Sequence, residues 1–384
     1  LQYQLLNEEN TTMHYLTFEG DLYQLGLKRG TIYRKSGIRF PLNLDKFQLA
    51  HGKHSEEILR EFFPEVCEEI KGVSHSMGIQ YLPLVSWMLC MGCCMYNLEG
   101  NTPTETEVRG CTAFAFSKNN QVIYGRNNDL PPYLRRDSKS ELYVPKNGTC
   151  FHMATSSFIN GEEGLNEHGL AVAMTFVMTR LSNIKPGFNS CFIVRFLLEK
   201  AATTQQAVSM LMPLPIASNC NILLADKTGK LAVVECTPTV KRVREAETTA
   251  DGTTSFLCTV NHFTSPEMTP YDDSRGDDYD SLKRYKTVMD YFSQDMLSKQ
   301  EACISLSTEG KTGDLTEQTK CLLKGQYGFL CQYDNVPNFE TVWSSVFNLK
   351  TLAVCHTEGD PRSYPFLEDH RLCFRSIHIK NQST

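Results

Sequence analysis

A chain of 384 residues with 41% hydrophobic and 10% aromatic side chains carries enough apolar surface for a substantial core, which excludes a disordered or fibrous protein. Its 38 basic and 44 acidic residues leave a formal charge of -6 with no basic block along the chain, which argues against a nucleic-acid partner. The longest apolar candidate, residues 84–96, is shorter than the roughly 18 residues a bilayer span needs and is broken by Ser86 and Gly92, so no membrane partner is expected.

Residues 1–14 mix Gln, Asn, Glu and Thr with apolar positions and lack the basic start and apolar segment of a secretory leader. Fifteen cysteines, most of them scattered singly, fit a reducing compartment better than a disulfide framework, and the expected location is cytoplasmic. After a short extended start, residues 56–77 place Ile58, Leu59, Phe62, Phe63, Val66, Ile70 and Val73 at helical spacing, with Pro64 expected to kink or divide the helix. A second helix is expected over 82–97. Residues 101–110, Asn-Thr-Pro-Thr-Glu-Thr-Glu-Val-Arg-Gly, read as an exposed linker. The chain thus divides into a mostly helical N-terminal segment, 1–110, and a main domain, 111–384.

The main domain opens with a hairpin, 112–117 and 122–126 across Asn119-Asn120. Further strands are expected at 150–158, 170–178, 221–225, 231–236 and 254–260, with Asp226-Lys227-Thr228-Gly229 as a tight turn. Helices fall at 190–202, 204–212 and 280–292. A last hairpin joins 342–347 to 352–355 across Asn348-Leu349-Lys350. This succession points to a layered α+β sandwich with antiparallel sheets.

The chemistry centres on Arg109-Gly110-Cys111-Thr112. A lone cysteine is more often a small buried hydrophobe. Here it follows a glycine at the end of a polar linker and opens a strand, where backbone cleavage is sterically allowed. Attack of the Cys111 thiolate on the Gly110 carbonyl would give a thioester that water opens, leaving a chain that begins at Cys111. Its α-amine, with a pKa near 8, could then serve as general base to its own thiol. Arg126 and Asp129 follow 15 and 18 residues on, which a hairpin brings back beside Cys111; Arg126 would favour the thiolate and Asp129 would hold the ammonium. Asn261 ends another strand, where its amide could donate to an oxyanion, and His262 beside it offers a Cys-His pair that needs no cleavage.

Three other motifs point elsewhere. Cys90-Met91-Gly92-Cys93-Cys94 has no second ligand pair at finger-like spacing and reads as helix packing, so no metal is expected. Asn166-Glu167-His168-Gly169 reads as a hairpin turn with Asn166 and Gly169 suited to positive φ, and Arg135-Arg136-Asp137 as a solvated loop.

Together these residues resemble the N-terminal-nucleophile (Ntn) hydrolases of the choloylglycine hydrolase and penicillin acyltransferase group, most of all the isopenicillin N acyltransferase-like proteins. The resemblance rests on the glycines of Phe18-Glu19-Gly20-Asp21-Leu22-Tyr23-Gln24-Leu25-Gly26-Leu27-Lys28-Arg29-Gly30, on Gly110-Cys111-Thr112, on Gly125-Arg126-Asn127-Asn128-Asp129 and on Gly164-Leu165-Asn166-Glu167-His168-Gly169-Leu170-Ala171. Downstream it adds Asn261-His262-Phe263, Ser281-Leu282-Lys283-Arg284, Thr341-Val342-Trp343-Ser344-Ser345-Val346 and Gly359-Asp360-Pro361. It implies a four-layer αββα sandwich, Cys111 as nucleophile and base, Arg126 and Asp129 orienting it, Asn261 in the oxyanion site and Arg284 as support. Where bile-salt hydrolases have a further oxyanion Asn, Thr175-Phe176 stand here, so Thr175 or a backbone N–H would take that role.

The expected function is therefore a zymogen that cleaves itself between Gly110 and Cys111, then hydrolyses a linear amide or transfers its acyl group through a Cys111 thioester, without a cofactor. The substrate is expected to be a small-molecule amide or acyl-thioester, with Phe158, Thr175, Phe176 and Met178 lining its pocket. The assembly could be a homo-oligomer or, after cleavage, an α/β heterodimer. Two other readings stay open: an unprocessed hydrolase using Cys111 with His262, and an inert binding protein on the same fold.

Overall fold

The structure, a computed structural model, describes residues 13–91, 110–274, 280–293, 314–332 and 340–371, with Phe374. Strand β1 (His14–Gly20) leads into helix α1 (Leu22–Lys35), whose N-terminus is capped by the Asp21 carboxylate accepting from Tyr23 N. Helix α2 (Lys46–Phe62) opens on a reciprocal Asp45/Gln48 capping box. Pro64 divides the helix expected over 56–77: it takes the first position of α3 (Pro64–Met77), where its missing N–H costs nothing. Gly78, at φ 68°, ends α3. Helix α4 (Tyr81–Cys90) starts where the second helix was expected; residues 92–97 and the linker 101–109 lie outside the described residues.

Among the described residues fifteen strands build two sheets. After β2 (Gly110–Lys118) and β3 (Gln121–Leu130), the chain runs through β4 (Lys139–Pro145), β5 (Phe151–Thr155), β6 (Glu163–Asn166) and β7 (Leu170–Phe176) into α5 (Ser190–Lys200) and α6 (Thr204–Leu211). Then come β8 (Cys220–Asp226), β9 (Leu231–Cys236), β10 (Lys241–Glu245), β11 (Glu247–Thr248) and β12 (Thr254–Thr259), α7 (Ser281–Ser293) and α8 (Leu315–Leu323), and finally β13 (Glu340–Asn348), β14 (Ala353–Glu358) and β15 (Leu367–Glu368). One sheet has the order β1-β4-β5-β6-β7-β8-β9-β10, the other β11-β12-β2-β3-β13-β14-β15.

The period of two decides the layers. Ala113, Ala115, Val122 and Tyr124 of the second sheet face Leu165, Ala171, Ala173, Leu223 and Val233 of the first across an inner core. The alternate residues Phe114, Phe116 and Ile123 pack outward on Val288, Phe292 and Leu322 of α7 and α8. On the other outside, Val172, Ile222 and Val234 meet Phe192 and Leu197 of α5 together with the N-terminal helices. The result is the αββα sandwich. Asn119 and Asn120, at φ 49° and 58°, turn the β2-β3 hairpin, and Gly169, at φ 85°, turns β6 into β7 while Asn166 Oδ1 accepts from the His168 and Leu170 N–H groups.

Three expectations are corrected. The sheets are not wholly antiparallel: β1 pairs with β4 in parallel, which a long crossover through four helices and a hairpin permits and a tight turn would not. The strand expected over 150–158 ends at Thr155, while β4 was not expected, because its Lys139, Ser140 and Glu141 are polar yet buried. Arg135 is not simply solvated either, since it pairs with Glu340. Among the described residues no helix is long and apolar enough to cross a membrane.

Candidate active site

The β2-β3 register sets Gly110 opposite Asp129, Cys111 opposite Asn128 and Ala113 opposite Arg126. Strand alternation then puts Cys111, Arg126 and Asn128 on the inner face with Ala113 and Tyr124, and Thr112, Asn127 and Asp129 on the outer face. Arg126 Nη2 donates to the Cys111 sulfur at 3.1 Å and to Asn128 Oδ1 at 2.8 Å, and the thiol itself reaches Asn128 Oδ1 at 3.3 Å. Arg126 is held from the facing sheet by the Met174 carbonyl at the end of β7. Fully buried Glu163, which acts electrostatically on Arg126, accepts from Tyr124 Oη (2.6 Å), Trp343 Nε1 (2.9 Å) and Ser345 Oγ (2.6 Å).

The backbone of Cys111 is gripped from the outer side. Asn261, two residues past the end of β12, accepts from Cys111 N at 2.8 Å and from Arg284 Nη2 at 2.8 Å through the same Oδ1. Two donors on one atom identify it as the oxygen. The Asn261 amide nitrogen donates to Phe176 O at 2.9 Å, which leaves one of its two protons for another acceptor. Fully buried Arg284, on α7, also donates to the Cys111 carbonyl (2.6 Å) and Thr112 Oγ1 (2.8 Å) and lies 3.8 Å from Asp129 Oδ2. Asp129 accepts from Thr341 Oγ1 at 2.6 Å. In the uncleaved chain the peptide N–H of Cys111 is thus held by Asn261.

Burial pushes the Cys111 thiol above its ordinary range, and the Arg126 guanidinium works against that rise. Burial likewise pushes the Asp129 carboxyl up to about 6, opposed by Arg284. Arg284 adds to the pull of Arg126 toward the thiolate.

The other expected residues are placed as follows. Gly110 begins β2 beside Asp129, so the Gly110-Cys111 bond lies within the cluster. Thr175 is buried with its hydroxyl donating to Val260 O at 2.5 Å, so its proton is committed. Phe176 is brought in through its carbonyl, and the Met178 carbonyl, two residues on, accepts from Asn219. Phe158 packs instead among Tyr33, Phe40 and Trp87, with its carbonyl held by Arg29 and Tyr33. His262 binds Ser281 Oγ through Nδ1 at 2.8 Å, while the thiol is bound to Arg126 and Asn128, so no Cys111-His262 pair is assembled. Cys90 is buried on Gln48 O; Cys93 and Cys94 lie outside the described residues. Among the described residues no group of three or more His, Cys, Asp or Glu side chains is arranged to hold a metal.

Two members escaped the sequence reading. Asn128 stands in the quoted Arg126-Asn127-Asn128-Asp129 run, and strand alternation from Cys111 and Arg126 was signal enough to select it. Glu163 had no such signal, since only sheet packing brings β6 over β3.

The acyl-coenzyme A:6-aminopenicillanic acid acyl-transferase family matches residues 116–363. No curated protein matches the chain by sequence. Among solved structures, the chain is similar to a Caenorhabditis elegans N-acylethanolamine-hydrolyzing acid amidase ortholog, with 18% identity, 62% of this chain and 93% of that chain covered, and a TM-score of 0.43. It is similar to a mutant of the conjugated bile acid hydrolase from Clostridium perfringens, with 13% identity, 68% and 93% covered, and a TM-score of 0.44. It is similar also to penicillin V acylase from Agrobacterium tumefaciens, with 17% identity, 65% and 83% covered, and a TM-score of 0.37.

Proposed function

The chain belongs to the acyl-coenzyme A:6-aminopenicillanic acid acyl-transferase family, and from that premise we propose that it is a self-processing cysteine amidohydrolase or acyltransferase. The observation that carries this reading is Cys111 itself: its sulfur lies 3.1 Å from Arg126 Nη2, and its nitrogen and carbonyl are held by Asn261 and Arg284.

In maturation, Cys111 Sγ adds to the Gly110 carbonyl carbon, the Gly110-Cys111 C–N bond breaks, and the nitrogen leaves as an amine after gaining a proton. Water then opens the Gly110 thioester and restores the thiol. The freed α-amine stays on Asn261 Oδ1, takes the thiol proton, and the thiolate adds to the substrate's acyl carbon. The ammonium returns the proton to the leaving amine or thiol as the C–N or C–S bond breaks. A thioester remains, and water or an acceptor amine discharges it. An open site favours water; a closed one that positions an amine favours transfer. The segment 1–110 stays docked after cleavage, a reading supported by β1 within the first sheet and by the Arg29 ion pairs described below.

Mass spectrometry of the purified protein tests this. Fragments 1–110 and 111–384 are expected, with Cys111→Ala remaining intact, and the mature protein is expected to gain an acyl mass on Cys111 from N-acyl amino acids, β-lactam side-chain amides or acyl-coenzyme A donors. An intact chain that labels on Cys111 would favour an unprocessed hydrolase. An intact chain with an unreactive Cys111 would sink both readings in favour of a binding protein.

A further inference from the structure

The two side chains expected at the oxyanion site leave a single proton between them. Thr175 has committed its proton to Val260 O, and Asn261 retains one N–H. Asn128 has what is missing. Its Oδ1 faces two donors, the Cys111 thiol at 3.3 Å and Arg126 Nη2 at 2.8 Å, which identifies that atom as the oxygen and the other as the amide nitrogen. That nitrogen is buried in a fully buried residue and has no hydrogen-bond partner. Buried polar groups are nearly always satisfied, and an exception calls for a ligand or a reaction to explain it.

We propose that the Asn128 Nδ2 group donates to the oxyanion that forms when the Cys111 thiolate adds to an acyl carbon; this rests on the reading of Cys111 as nucleophile. As sulfur bonds to the carbon, the carbonyl π pair moves onto oxygen, and the pair returns when the amine departs with its proton. Asn128 is the cross-strand partner of Cys111 and lies on the same face. Its carboxamide oxygen touches the sulfur, so its nitrogen, on the same carbon, lies within reach of an oxygen carried by an atom bonded to that sulfur. One carboxamide thus serves both ends of the step: Oδ1 holds the thiol proton and Arg126 before addition, and Nδ2 meets the charge that addition creates.

Asn128→Asp separates the two ends, because it keeps acceptors for Arg126 and the thiol and removes the amide donor. Two rates at Cys111 are compared in the processed protein: alkylation by iodoacetamide across pH, which forms no oxyanion, and single-turnover acylation by p-nitrophenyl butyrate, which does. With each variant taken at its alkylation plateau, acylation is expected to fall roughly 10²–10³-fold while alkylation changes by less than about threefold. Asn128→Gln, which restores an amide donor, is expected to recover part of the loss. Should the Asp variant fail to fold or process, Asn128→Ala, which has no donor, carries the same comparison. Acylation and alkylation falling in parallel, or neither falling, would overturn the proposal and leave Asn128 a positioning residue. Wild-type protein whose Cys111 is never acylated would instead overturn the nucleophile reading on which it rests.

Discussion

The residues around Cys111 pull its sulfur in opposite directions. Burial raises the thiol and Arg126 restrains it, so Arg126→Gln is expected to move the midpoint of Cys111 alkylation to higher pH and slow alkylation at pH 7 about tenfold or more; an unmoved midpoint would remove Arg126 from that role. Asp129 gives a second pH test. Burial pushes its folded carboxyl up to about 6, above the ordinary aspartate value of about 4, so the native state binds the extra proton between those values. The unfolded state binds fewer protons there, and stability falls as pH rises through the window, on the order of 3 kcal/mol in full. Asp129→Asn should flatten that slope, read from urea midpoints at about pH 4 and pH 6.5. A slope equal to wild type would mean that the charge is not buried as described.

Among elements, the crossing of α1 and α3 is set by two glycines. A Cβ on Gly26 would lie 2.0 Å from Glu69 O, and one on Gly72 would lie 2.2 Å from Tyr23 O. Gly26→Ala must therefore push the helices apart, at a cost of about 3 kcal/mol in urea unfolding; a change within 0.5 kcal/mol would show that the contact is loose. The sequence spoke clearly for some elements and not for others. Pro64 marked its own helix boundary, and Asn119-Asn120 marked the hairpin, because each acts through local backbone geometry. β4 stayed hidden because Lys139, Ser140 and Glu141 are all buried, so the polar-out alternation that reveals a strand is absent.

Across the whole molecule, helices α1 and α3 are tied to β4 and α5 through charge in the core. Arg29 of α1 reaches Glu141 of β4 with both terminal nitrogens, at 2.8 and 2.9 Å, and Glu69 of α3 at 3.2 Å, while Arg195 of α5 pairs with Glu69 at 2.7 Å. All four side chains are fully buried. Removing one partner strands the others, so Arg29→Met is expected to destabilise the protein by about 3–5 kcal/mol. If the chain is cleaved at Gly110-Cys111, wild-type fragments should elute together on size exclusion, and the variant should shed fragment 1–110. A variant that holds the segment as firmly as wild type would assign its docking to β1 and apolar packing alone.

What the sequence determined by itself was what local chemistry can write: the β2-β3 hairpin, a layered α+β succession of elements, and a glycine-cysteine bond followed at hairpin distance by Arg126. The positions that matter around Cys111 also follow from alternation once the hairpin is known, and Asn128 could have been selected on that ground. Only the tertiary structure decided that Asn261 takes the Cys111 peptide N–H, that Thr175 spends its proton on Val260, and that Glu163 of the opposite sheet acts electrostatically on Arg126. Those pairings join residues from separate strands and both sheets, and no period along one strand encodes which donor meets which acceptor when two sheets close over a dry core.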